Sequence, residues 1–129
     1  MAAPNIVDVT SILGKTAFVT PSNTSENILL ANAAASGKVF KVNQIVVANV
    51  DGTSAADATV AYNTADGGTA DGGTSYPIIS TVSVPADASI IAVDKNTSLY
   101  LEEDRSIVVT SGTASDLAYT ISYEELDDA

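Results

Sequence analysis

Four carboxylates crowd into the run DKNTSLYLEEDRSIVV: Asp94, Glu102, Glu103 and Asp104, with Tyr100 between them. A carboxylate pair can hydrolyse a glycosidic bond, one group as acid and the other as base or nucleophile. Such a pair works in a cleft beside aromatic sugar platforms, and this chain has no Trp, five Tyr and two Phe. Glu102 and Glu103 are adjacent, so on a strand they point to opposite faces. EEDR stands between two apolar segments, where a hairpin turn is expected, and its charges with Arg105 make a solvated tip at little cost. Asp94-Lys95-Asn96 reads the same way, with short polar side chains capping nearby N–H groups.

A second candidate is the tandem pentapeptide ADGGTADGGT, residues 65–74. Asp66 and Asp71 are the metal candidates, as oxygen ligands for calcium with glycines turning tightly around them. Two carboxylates are few for the 6–8 oxygens that calcium takes. The plainer reading is a flexible loop tip grown by duplication, since glycine pairs cost conformational entropy and offer nothing to pack. The chain has no His and no Cys, which removes thiol nucleophiles, zinc–thiolate sites, and Ser–His and Cys–His dyads. No catalytic constellation and no cofactor site can be assembled, so the expectation is a protein that is not an enzyme. Asn23-Thr24-Ser25 and Asn96-Thr97-Ser98 match the glycosylation pattern, which carries no weight without a secretory signal. The exposed-tyrosine candidates Tyr62, Tyr76 and Tyr100 read as sheet-face packing before sugar platforms.

The elements that carry these residues are strands. The chain has 129 residues, the size of one domain, and 46% of them are apolar. Val, Ile, Thr and Tyr are abundant, and no window shows a helical stripe. Strands are expected in KTAFVT, NILLANA, KVFKVNQIVVANV, ATVAYNT, SYPIISTVSV, SIIAV, SLYLEE, RSIVVTSG and LAYTISYEEL. In the last, Leu117, Tyr119, Ile121 and Tyr123 recur with a period of two. Pro77 cannot donate to a ladder, so it marks a sheet edge or a bulge. LLANAAASGKV is Ala-rich but too short for a stable helix. Turn signals every 8–12 residues predict an all-β fold, a single antiparallel β-sandwich, with the jelly roll among its forms. Val42, Ile45, Val47, Val60, Val82, Ile91, Leu99, Leu101, Val108 and Ile121 are the expected core.

Sixteen acids against five bases give a net charge of −11. Such a chain repels phosphate backbones and anionic lipid, so no nucleic acid and no membrane partner is expected. The opening MAAPNIVDVTS has no basic n-region or apolar h-region, so no Sec-type signal is expected. No apolar run approaches the length of a membrane span.

The joining of the strands adds a resemblance. GKVFKVNQIVVANVDGTSAADATVAYN, followed by TVSVPADASIIAVDKNTSLYLEEDRSIVVTSGTASDLAYTISYEEL, resembles small virion structural proteins of tailed phages, especially those infecting marine cyanobacteria. NIVDVTSILGKTA looks like that family too, and the Gly-rich loop is the clearest departure. The motifs are strands and turns, with no catalytic residues to carry over. The resemblance implies a capsid decoration or cement protein on the outer capsid surface, assembled in the host bacterial cytoplasm. Its partners would be the major capsid protein or other virion proteins, with a homo-oligomer among the options. Neck, tail or fibre stations and a carbohydrate-binding module for host attachment stay open as alternatives. Residues 1–13, hinged at Gly14, are expected to be either a docking arm, with Ile6, Val7 and Val9 as partner-binding residues, or the first strand. Residues 14–129 are then the sandwich.

Overall fold

The computed structural model describes residues 6–127. Nine strands form: β1 Ser11–Val19, β2 Asn27–Asn32, β3 Lys38–Asn49, β4 Ala56–Asn63, β5 Ser75–Val84, β6 Ser89–Val93, β7 Leu99–Leu101, β8 Arg105–Ser111 and β9 Leu117–Asp127. Short 3-10 turns at Thr69–Asp71 and Lys95–Thr97 are the helical pieces among the described residues. All nine expected strand segments are present.

Every pairing is antiparallel. One sheet runs β1-β9-β3-β6, with β7 also on β3; the other runs β2-β8-β4-β5. With β6 and β7 counted as one interrupted strand, the first strand pairs with the last, the second with the next to last, and so inward. That is a long hairpin rolled into two sheets, the jelly roll.

Alternation along each strand builds the core. Val42, Ile45 and Val47 of β3 and Leu117, Tyr119 and Ile121 of β9 are fully buried, facing Ala58 and Val60 of β4 and Ile107 and Val109 of β8. Each large aliphatic side chain buried there stabilises by about 1.5–3 kcal/mol. Three expected core residues lie outside the core between the sheets. Val108 is buried but on the outer face of β8, opposite Ala61 and alternating with the inward Ile107 and Val109. Ile91 is 60% exposed, because a register shift between Ile45 and Val46 moves it to the outer face while Ile90 and Val93 turn inward. Val82 is 38% exposed: it stands opposite the buried Ala58, but on edge strand β5, whose other side no strand covers among the described residues. Leu99 packs on the core margin without full burial.

Pro77 lies on the edge strand, at a step where the β4–β5 register slips, as its missing donor requires. The N-terminal boundary differs from expectation. β1 begins at Ser11 and Gly14 is an interior strand residue opposite Glu124, so residues 11–13 belong to the sandwich and Gly14 is no hinge. Ile6–Val9 adopt turns and a bend rather than a strand; residues 1–5 of the expected arm lie outside the described residues.

Candidate functional site

The acidic run is structural, though not as a hairpin. Asp94 caps the 3-10 turn, accepting from Asn96 N at 2.9 Å and Thr97 N at 3.1 Å, while Thr97 Oγ1 accepts from Asp94 N at 3.0 Å. Glu102–Asp104 carries the chain from β7 in one sheet to β8 in the other, so the expected hairpin is instead a crossing between sheets. Asp104 makes that corner with φ +60° and donates its N–H to Asn32 O at 2.9 Å. The tyrosines do not form one platform. Tyr62 hydroxyl reaches across the sandwich to Tyr100 O at 3.2 Å and accepts from Glu102 N at 3.3 Å, and burial pushes its pKa up. Tyr100 points outward beside Lys41, between the inward Leu99 and Leu101.

Three corners are closed by asparagines that sequence reasoning passed over. Asn32, Asn49 and Asn63 end β2, β3 and β4, and all are buried. Asn32 Nδ2 donates to Lys38 O at 2.9 Å and Leu101 O at 3.1 Å. Asn49 Nδ2 donates to Ser54 O and Val84 O, both at 2.9 Å, and its Oδ1 accepts from Asp51 N at 2.9 Å. Asn63 Nδ2 donates to Ser75 Oγ at 2.8 Å and Thr69 Oγ1 at 3.1 Å, and its Oδ1 accepts from Ala65 N at 3.0 Å. The signal was present: ANA, ANV and YNT, each an Asn ending an apolar run. A side chain with donors and an acceptor can satisfy a corner's backbone where no ladder continues.

The Gly-rich loop is not a free tip. Glu26 accepts from Thr69 N and Thr69 Oγ1, both at 2.9 Å, and from Ser75 Oγ at 3.1 Å. Ser106 Oγ donates to Ala65 O at 2.7 Å and Arg105 Nη1 to Thr64 O at 2.9 Å. A Cβ on Gly68, at φ +75°, would sit 3.1 Å from Ile28 Cδ1 and 3.6 Å from Val108 Cγ1. The loop therefore lies on the outer face of the four-stranded sheet, where Val108 and Ala61 are buried. The two pentapeptides are used differently: Ala65 is buried and Ala70 exposed, and positive φ falls on Gly68 in one copy and Gly72 in the other. Asp66 Oδ2 accepts from Ala34 N at 3.2 Å and Asp71 ends the 3-10 turn. Among the described residues no group of three or more acids could hold a metal.

The outer face of the five-stranded sheet has no such cover among the described strands and loops. Register alone lines up Phe18, Thr120, Val46 and Ile91 across β1, β9, β3 and β6. Phe18 is 79% exposed. The rows on either side are Thr16, Ser122 and Gln44, and Ala118, Ala48 and Ser89. Ten aligned positions thus carry no charge in a chain of net charge −11. The first charged row beyond them pairs Glu124 with Lys41. Of the expected partner-binding residues, Ile6 and Val7 are exposed and Val9 half-buried, outside this face's strands.

On the inner side of the same sheet, Glu125 is clamped by Lys15 Nζ at 2.9 Å and Lys38 Nζ at 3.2 Å, tying β9 to both neighbours. Hydrogen bonding to Lys15, then to Lys38, holds the Glu125 carboxyl below its ordinary pKa, and Glu125 raises that of Lys15.

No family model matches the chain, and no curated protein matches it. Among solved structures it is similar to a chain of the T13 IBDV viral particle, with a TM-score of 0.49 and 8% identity. The match covers 93% of this chain and 32% of the viral-particle chain, so this chain spans well under half the length of that one. The similarity is one of fold.

Proposed function

We propose that this chain is a virion structural protein, a capsid decoration protein that reinforces the major capsid lattice by non-covalent contacts on its outer surface. The observation that carries this reading is the uncharged face built on Phe18, Thr120, Val46 and Ile91. An acidic chain that leaves ten aligned positions on a flat sheet uncharged has a surface suited to lie against another protein. Carboxylates elsewhere on the chain favour a receptor with basic rims. The strand-and-turn resemblance to small virion proteins of tailed phages points the same way.

Quantitative mass spectrometry of purified virions tests the station. Decoration gives a copy number comparable with that of the major capsid protein. A small fraction of that number means a neck, tail or fibre protein, and absence from the virion ends the reading. Ile91→Glu places a carboxylate on the face at a position 60% exposed, where folding tolerates it. It is expected to abolish rebinding to capsids stripped of this chain.

A further inference from the structure

The four sheet edges are not alike. β2 is six residues long and its register slips between Ile28 and Leu30. β5 contains Pro77, two register slips and Thr81 at φ +47°. The edge formed by β6 and β7 is interrupted by the Lys95–Thr97 turn. Each of these devices spoils an edge as a template for another strand. β1 has none of them: it pairs with β9 over nine consecutive residues, Ser11 to Val19, without a slip. Among the described residues, no strand pairs with its other side.

We propose that β1 pairs antiparallel with β1 of a second copy of this chain, about a two-fold axis through Thr16, joining two five-stranded sheets into one. The inference stands apart from the virion reading and rests on the residues of β1. Alternation sends Leu13, Lys15, Ala17 and Val19 inward and Ile12, Gly14, Thr16 and Phe18 outward. Ala17 and Val19 pack on the core, and Phe18 and Ile12 are exposed. A two-fold perpendicular to the sheet pairs residues of the same parity, so each pair shares a face. With the axis at Thr16, Thr16 meets Thr16, a favourable cross-strand pair. Phe18 lies over Gly14, where a Cβ would meet nothing within 4 Å, so an aromatic ring covers an edge glycine. Leu13 meets Val19, and Lys15 meets Ala17, so no like charges stand opposite.

Charge selects a second copy over an unrelated strand. SILGKTAFV carries no carboxylate, and its one charge, Lys15, is already bound to Glu125. This edge is therefore a place where two chains of net charge −11 can meet without opposing acids. Their overall repulsion remains, so the association strengthens as salt screens it.

Sedimentation of the full chain from about 5 to 500 μM brackets the affinity of an interface at the small end of the specific range. The wild type is expected to pass from monomer to dimer, with a tighter Kd at higher salt. Thr16→Glu and Thr16→Lys each set like charges on the axis and are expected to weaken the dimer at least tenfold while leaving the circular dichroism unchanged. An equimolar mixture of the two places opposite charges there and restores it. Because the chain has no Cys, Thr16→Cys offers a second reading that does not depend on the charged variants folding. It is expected to oxidise to a covalent dimer, whereas Ser11→Cys, far from the axis, is not. A wild type that stays monomeric throughout, a dimer indifferent to Thr16→Glu, or a T16E and T16K mixture that stays monomeric would each overturn the proposal.

Discussion

Removing Asn49 is the sharpest probe of how the sandwich is closed. Asn49 is 3% exposed and makes three side-chain hydrogen bonds at 2.9 Å. Their loss is unequal. Ser54 O and Asp51 N lie near solvent and can find water, so each bond is worth about 0.5–1 kcal/mol. The bond to Val84 O is buried, and an acceptor left unpaired there costs about 1–3 kcal/mol. Asn49→Ala should therefore lose roughly 2–5 kcal/mol, a large share of a domain's stability of about 5–15 kcal/mol. At about 2.1 cal/mol/K per residue, 129 residues have an unfolding entropy of roughly 0.27 kcal/mol/K, so about 3 kcal/mol lowers the Tm by about 11 °C. The assay is urea and thermal unfolding followed by circular dichroism and tyrosine fluorescence, the chain having no Trp. Asn43→Ala is the control: that side chain is half-buried and, among the described residues, bonds Glu124 Oε1 alone, at 3.0 Å, and its loss should stay within about 1 kcal/mol. Asn49→Asp keeps the acceptor for Asp51 N but points oxygens at two carbonyls, so it should be no better than Ala. A loss at Asn49→Ala below about 1 kcal/mol, or equal to the control, would refute the corner argument.

Gly68→Ala and Gly72→Ala both demand a left-handed alanine, at φ +75° and +83°, costing about 1–2 kcal/mol each. Gly68→Ala should cost more, because its Cβ also meets Ile28 and Glu26; equal small losses in urea titrations would return the loop to a free tip. Glu125→Gln should destabilise at neutral pH. With the folded pKa of Glu125 lowered, its contribution is complete above the unfolded carboxylate pKa and fades as pH falls through the folded value. The gap between wild-type and variant unfolding midpoints should therefore close with acid; a pH-independent gap would mean the clamp is not electrostatic. Tyr119→Phe strips the buried hydroxyl that bonds Ser111 Oγ at 3.0 Å and Thr110 O at 3.2 Å. It should cost about 1–2 kcal/mol in the same unfolding assay.

Composition and alternation were enough for the class of fold. β-branched residues spaced by two, cut by DG, PAD and DKN, can satisfy their backbone only in ladders, and a strand formed in each of the nine segments, with SLYLEE shortened to Leu99–Leu101 and KTAFVT extended back to Ser11. The lack of His and Cys, the excess of acid and the turn character of Asp94 and Glu102–Asp104 were also local properties that no tertiary contact could reverse.

What alternation could not supply was phase across an irregularity. One slip opposite β3 moved Ile91 from the expected core to the outer face, and periodicity has no term for an extra residue. The loop was misjudged for a related reason. Its anchors, Glu26 and Ser106, lie some 40 positions away in the chain, so its glycines look idle until the sheet beneath them exists. The uncharged face is likewise made of residues 18, 46, 91 and 120, each unremarkable in its own strand. Strand order decides which of them become neighbours. That order is set by which long-range pairings close one core without leaving a buried backbone group unpaired, and no local window of the sequence contains it.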